Sequence, residues 1–269
     1  FVFVIDTENA LDDGFVGAVG VDVTQNYMYT SAITISQVSQ LVSEFVKGYK
    51  SDYGTAEDAP KVLIVIDSLD MLLTDTELEN YEKGDTKGDQ GQRAKQLKAM
   101  LRTFVQDIRD VNISIIVTTQ VYKATAQQIL EGEGTWIING AVRYALSQLI
   151  LCTRLKLKDK DTKKVEGIRM KCEAFKTRFS KPFQSVTIEV PYETGMDFYN
   201  GFQDILESAG QVVRSGSWYN LVDTEIKWQS KNFNDVADEV LAIIVDREKQ
   251  GELRLDLKLG ADEEVTLEG

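Results

Sequence analysis

At 269 residues and 43% apolar content, the chain is long and apolar enough for one large domain with a buried core, and too apolar for a disordered polymer. Its 30 basic and 43 acidic residues give a net charge of −13, which excludes a uniformly basic nucleic-acid coat or membrane-surface protein and leaves room only for a local polyanion site. With no histidine, no CxxC and only Cys152 and Cys172, a disulfide scaffold, a Cys/His zinc site and any mechanism with a histidine base are excluded, and a reducing cytoplasm fits.

The chain opens in Phe1-Val2-Phe3-Val4-Ile5-Asp6, a run of apolar strand formers without alternation, the pattern of a strand buried on both faces. Opening on Phe1, directly in a strand, it reads as a fragment of a longer chain. Val38, Leu41, Val42, Phe45, Val46 and Tyr49 recur at helical spacing, with Ser36 as the expected N-cap. A loop at 51–60 precedes a second buried strand, Val62 to Ile66, ending in Asp67-Ser68. A polar stretch from Thr74 to Gly91 is expected as a loop, and the helix after it presents Leu97, Leu101, Phe104, Val105 and Ile108 on one face. A third strand, Ser114 to Gln120, leads into a polar segment running to about Gly140. Leu149-Ile150-Leu151-Cys152, a charged hairpin at 158–164 and a strand near Ser185 to Val190 follow. The order is that of an α/β domain with a mainly parallel sheet turning antiparallel late. No apolar run approaches the roughly 18 residues of a bilayer span, so no membrane partner is expected.

Charge is segregated: residues 154–181 carry 11 basic and 4 acidic side chains, and residues 223–269 carry 6 basic and 13 acidic. The basic stretch can meet a polyanion. Residues 222–269 are expected to form a small acidic region, partly helical through Val236, Val240, Ile243 and Ile244, with a disordered end.

Three apolar strands end in polar groups: Asp6 and Glu8, Asp67, and Gln120. In open α/β sheets, ligands bind at the carboxyl ends of the strands, so these side chains gather on one rim. An apolar strand ending in Asp-Ser supplies the rigid carboxylate that Mg²⁺ wants beside nucleotide phosphates, and a neighbouring glutamate can deprotonate water. The plainer alternative is that Asp6, Asp67 and Gln120 only cap strands. The phosphate cradle GxxxxGK[ST] needs a Gly-Lys pair, which this sequence lacks, so the cradle is expected before Phe1.

Phe3 to Asp12 (FVIDTENALD) resembles the segment of RecA recombinases that carries the catalytic glutamate. Val65-Ile66-Asp67-Ser68 resembles their Walker B strand, and Thr119-Gln120 their γ-phosphate-sensing strand end. Lys176-Thr177-Arg178 with Lys181-Pro182-Phe183 resembles their intersubunit basic segment. Tyr192, Gly195, Phe198-Tyr199, Asp204, Gly210, Gly216 and Trp218-Tyr219 resemble the end of the ATPase core. Gln92-Arg93-Ala94-Lys95 is more similar to the phage UvsX branch than to bacterial RecA. The likeness spans residues 1–221 and implies a RecA-like P-loop NTPase core without its Walker A segment. It also implies an ATP- and Mg²⁺-dependent recombinase forming homo-oligomeric filaments on single-stranded DNA and pairing it with double-stranded DNA. Mediator and single-strand-binding proteins are implied as partners, in a bacterial cytoplasm and with a phage gene as the source. Glu8 would activate water, Asp67 would hold Mg²⁺ with Ser68 beside it, and Asp12 and Phe15 would contact adenine. Gln120 would couple the γ-phosphate to the following loop, and Lys176 and Arg178 would reach the neighbouring subunit's nucleotide. The plainer alternative for these two basic residues is a solvated hairpin face.

For DNA, the polar stretches at 74–91 and 122–140 are long for simple connections. Arg93, Lys95 and Lys123 are expected to neutralise phosphates, and Tyr122 or Trp136 to stack on bases, although Trp136 also suits burial. Arg143 and Tyr144 are lesser candidates. The alternatives are a hexameric DNA helicase on the same fold, sharing Glu8 and Asp67, or a truncated chain that binds filaments without catalysis.

Overall fold

The computed structural model describes residues 1–18, 20–85, 91–125, 136–137, 140–159, 161–178 and 182–251, with the backbone alone for residues 15, 18, 137, 140 and 141. Four strands form a parallel sheet: β1 (Val2–Asp6), β2 (Tyr27–Ser31), β3 (Val62–Asp67) and β4 (Ile113–Val117), in the order β2-β1-β3-β4. Register sets Ile5 opposite Ile66 and Asp6 opposite Asp67. Ile5, Ile64 and Ile66 are fully buried, as strands covered on both faces require. Each contributes about 1.5–3 kcal/mol of apolar burial.

A short helix α1 (Asp13–Ala18) follows β1, and α2 (Ile35–Tyr53) follows β2. The cap of α2 is Thr34, two residues earlier than the Ser36 the sequence suggests. Thr34 and Gln37 form a reciprocal capping box, and Ser36 instead donates its hydroxyl to Asp75. The buried stripe of α2 is Ile35, Val38, Val42, Val46 and Tyr49, and Phe45 stacks on Phe3 with ring centroids 5.1 Å apart. The 74–91 stretch is only partly a loop. Thr74 and Glu77 cap α3 (Asp75–Glu82), an eight-residue helix with no buried side chain, and residues 86–90 lie outside the described ones. In α4 (Gln92–Asp107) the buried face is Leu97, Met100, Leu101 and Phe104; Val105 is instead exposed. The 122–140 segment contains β5 (Tyr122–Lys123) and β6 (Trp136–Ile137), an antiparallel pair, before α5 (Gly140–Ala145), which packs on α4. Gly132, Gly134 and the rest of 126–135 lie outside the described residues.

The chain divides into two compact units, residues 1–146 and 147–269. In the second, β7 (Gln148–Lys158), β8 (Val165–Thr177) and β9 (Ser185–Pro191) form an antiparallel sheet in that order. Beyond it come α6 (Phe202–Ser208), a three-stranded sheet of β10 (Val212–Ser215), β11 (Trp218–Leu221) and β12 (Lys227–Gln229), and α7 (Ala237–Lys249). Leu206, Leu221, Trp228, Phe233, Val240 and Ile244 belong to one buried cluster. This cluster runs straight through the boundary the sequence suggests at 221, so residues 222–251 pack with the strands before them. The acidic end at 252–269, with Asp262 to Glu264, lies outside the described residues. Among the described residues no helix is long and apolar enough to cross a membrane.

Candidate functional site

The carboxyl ends of β1, β3 and β4 are wired together by side chains. Asp6, only 1% exposed, accepts the amides of Glu8 and Asn9 on Oδ1 at 2.9 and 2.8 Å, and those of Ala10 and Leu11 on Oδ2 at 3.0 and 3.1 Å. The Tyr29 hydroxyl adds a fifth hydrogen bond to Oδ2 at 3.0 Å. Burial alone would push the Asp6 carboxyl up, but the hydrogen bonds from Leu11, Tyr29, Glu8 and Ala10 outweigh it and hold it below its ordinary value. Asp6 is therefore the fastening of the loop that carries Glu8, as the plainer sequence alternative has it. The same Tyr29 phenol is pushed up, by burial first and then by its bond to Asp6.

Glu8 stands exposed near the start of this loop and accepts a hydrogen bond from the Ser68 hydroxyl at 2.8 Å. Thr7 locks the pair from below. Its hydroxyl donates to the Ser68 carbonyl at 2.6 Å and accepts from the Ser68 amide at 2.9 Å, while its own amide donates to the Asp67 carbonyl at 2.7 Å. The Asp67–Ser68 peptide is cis. Asp67, half-buried, accepts the Thr118 hydroxyl on Oδ1 at 2.5 Å. Asp70 accepts the Thr119 hydroxyl at 2.7 Å and the Gln120 amide at 2.6 Å, and the Tyr122 hydroxyl donates to Oε1 of Gln120 at 3.3 Å. A continuous set of contacts thus runs from Glu8 through Ser68 and Asp67 to Gln120 and the β5–β6 ribbon.

Glu8, Asp67, Ser68 and Gln120 are therefore brought to one rim. Asp12 directly precedes α1, and Phe15 lies within α1, its side chain outside the described ones. Tyr122 and Lys123 are exposed on β5, and register sets Lys123 opposite the half-buried Trp136. Lys95 is exposed on the first turn of α4. Arg93 does something other than the expected phosphate contact. Its guanidinium donates to the carbonyls of Leu72 at 2.8 Å, Leu69 at 3.1 Å and Asp70 at 2.5 Å, clamping the 3₁₀ turn at Leu69–Met71. In the second unit, Lys176 sits half-buried opposite Leu149 near the end of β8, and Arg178 just beyond it is exposed. Lys181 lies outside the described residues. Thr7, Tyr29, Asp70 and Thr118 escaped the sequence reading; the Thr118-Thr119 pair at a strand end is the one local signal of them.

A cleft of about 580 Å³ in the second unit, lined by Arg169, Glu189, Asp197, Asn200, Gln203 and Asn234, is a different matter. Several of its polar groups already have partners: Arg169 with Glu189, Asn234 with Asp197, and Gln203, which accepts from the Trp228 indole outside the lining. Such satisfaction is what packing of polar side chains requires.

The donor set at the rim fits Mg²⁺. Asp67 and Ser68 offer hard oxygen ligands, and among the described residues no three His, Cys, Asp or Glu side chains close into a metal cage. An ion that keeps several waters and takes one carboxylate plus phosphate oxygens needs no such cage. The sequence profile of the RecA N-terminal domain matches residues 1–197. The chain belongs to the RecA N-terminal domain family. Protein RecA of Synechococcus sp. (strain CC9902) is 25% identical over 236 residues, covering 85% of this chain and 58% of that protein. Protein RecA of Clostridioides difficile (strain 630) is 25% identical over 237 residues, covering 88% and 64%. Protein RecA of Gluconacetobacter polyoxogenes is 25% identical over 265 residues, covering 97% and 72%. The chain thus spans about three fifths of the length of the first of these RecA relatives. A crystal structure of the RadB recombinase aligns at 15% identity and a TM-score of 0.48, over 72% of this chain and 77% of that one.

Proposed function

We propose that this chain is the hydrolytic and DNA-engaging part of an ATP-dependent strand-exchange recombinase of the phage UvsX type. In this reading it forms filaments on single-stranded DNA and pairs that strand with a homologous duplex. One observation carries the proposal: Glu8 hydrogen-bonded to Ser68, beside Asp67, at the ends of adjacent parallel strands. Membership of the RecA N-terminal domain family supports it.

ATP with Mg²⁺, when bound, supplies the reacting phosphoryl group and the charge that neutralises it. Asp67 and Ser68 are the residues to hold the ion, with Thr118 orienting the Asp67 carboxylate. Glu8 orients the attacking water and takes its proton on the carboxylate, and Asp6 fixes the loop that aims it. Asp12 and Phe15 would flank the base. Gln120, its amide held by Asp70 and its carbonyl oxygen met by Tyr122, is built to pass the state of the rim to the β5–β6 ribbon. There Tyr122, Trp136 and Lys123, with Lys95 on α4, suit stacking and phosphate contact without sequence preference. Lys176 and Arg178 would offer positive charge to the nucleotide of a neighbouring subunit, which requires the filament. Mediator and single-strand-binding proteins are the further partners in this reading, in the cytoplasm of a bacterial cell.

The test is ATP hydrolysis by the full-length protein containing this chain, with and without single-stranded DNA, beside Glu8→Gln. Hydrolysis should rise with single-stranded DNA and fall by roughly 10²-fold or more in the variant, with DNA binding retained. Hydrolysis indifferent to DNA, or unchanged in Glu8→Gln, overturns the proposal. Assemblies of fixed size whatever the DNA length would point to a ring helicase instead.

A further inference from the structure

The chain has two cysteines, 20 residues apart in sequence, and the β7–β8 register sets them directly opposite each other. Their sulfur atoms lie 3.9 Å apart, close enough for one thiol to donate a weak hydrogen bond to the other. Residues directly opposed on antiparallel strands have Cα atoms about 4.5–5.5 Å apart. That lies within the window of roughly 4.4–6.8 Å that a disulfide spans, so the two strands need not part or slide for a bond to form.

The two thiols differ in a way that orders the chemistry. Cys152 is exposed and Cys172 half-buried. Burial first, and then the neighbouring Cys152, push the Cys172 thiol up to about 11, so Cys172 is the poorer attacker on an external reagent at neutral pH. Arg154, two residues along β7 and exposed, shares the face of Cys152 and offers positive charge to an anionic reagent.

The geometry points to an oxidisable dithiol site at Cys152 and Cys172, which closes to an intramolecular disulfide in reaction with an anionic low-molecular-weight peptide disulfide such as oxidised glutathione. Cys152, as its thiolate, attacks one sulfur of the reagent; that S–S bond breaks, one glutathione thiol leaves, and a mixed disulfide stands on Cys152. Cys172 then gives up its proton and attacks the Cys152 sulfur, forming the Cys152–Cys172 bond and expelling the second glutathione thiol. The protein loses two electrons and two protons, and the reagent gains both. The bond pins Cys152 to Cys172 two pairs away from the register shift between Leu149 and Ile150, beyond which Lys176 pairs with Leu149. This site does not depend on the nucleotide reading.

The experiment incubates the folded chain with oxidised glutathione and follows free thiols and intact mass. Both thiols should disappear, the mass should fall by two hydrogens with no dimer formed, and a dithiol reductant should restore both. Cys172→Ser should accumulate one glutathione adduct, because nothing resolves it, and Cys152→Ser should take up glutathione more slowly. Two thiols that persist in the folded wild-type chain, stable adducts on both cysteines, or a disulfide between chains would each overturn the assignment. The wild-type measurement decides the matter even where a serine variant folds poorly.

Discussion

In the parallel sheet, Ile5, Ile64 and Ile66 are sealed from solvent, whereas on β7 of the antiparallel sheet Ile150 and Leu155 remain 58% and 56% exposed. The polar contacts follow the same division. Around β1 and β3, charged and hydroxyl groups are displaced to the strand ends, where Asp6 alone gathers five donors. Along β8 and β9 they lie on the strands themselves, as in the Arg169–Glu189 pair, whose side chains are 47% and 40% exposed. A strand covered on both faces has no other place for a polar side chain than its end, so burial itself concentrates chemistry on a rim. A half-covered sheet can spread its charges along its strands.

That contrast makes unequal demands on substitution. Ile64→Ala should cost about 2–5 kcal/mol in urea unfolding, while Leu155→Ala on β7 should stay within about 0.5 kcal/mol; equal costs would erase the distinction. Asp6→Ala strands four amides and a phenol that the carboxylate now satisfies, and should cost about 2–3 kcal/mol at neutral pH. Because the folded carboxyl is held below its ordinary value of 3.8, its contribution is whole above that pH and is lost as pH falls through the lower folded value. The gap between wild type and Asp6→Ala should therefore narrow below pH 3.8, as unfolding midpoints across that range would record. Arg169→Ala also belongs at the small end, an exposed ion pair expected to contribute less than about 1 kcal/mol and to fade in salt. A larger, salt-insensitive loss would mean that the antiparallel sheet is wired as the parallel one is.

The same division governs what was legible in the sequence. β1, β3 and, but for Ser114, β4 announce themselves as apolar runs, and because Glu8, Asp67, Ser68 and Gln120 stand where such runs stop, their gathering on one rim was legible. β2 is half-exposed along its length and has no such run. Helix α3 buries nothing, so it lacks a periodic stripe, although its Thr74–Glu77 capping box was written in the chain. β8 alternates charge with apolar residues just past the charged hairpin expected at 158–164, and no apolar run marks it as a strand. Thr7, Asp70 and Thr118 were hidden for another reason: their partners lie 61, 49 and 51 residues away, and only register brings them together. Arg93 shows the converse, since a cation on a helix looks like a phosphate ligand until the carbonyls of Leu69, Asp70 and Leu72 are seen around it.

The order β2-β1-β3-β4 leaves β4 last in its sheet, and among the described residues no strand pairs with its outer edge. That edge belongs to the sequence Ile113-Ser114-Ile115-Ile116-Val117, with Ile116 51% exposed and no charge, proline or bulge to discourage a visitor. An edge strand without charge or proline is, wherever it stays uncovered, a template on which another chain can add a further strand. Ile116→Lys is therefore expected to lower self-association of the chain, as light scattering over a concentration series would record.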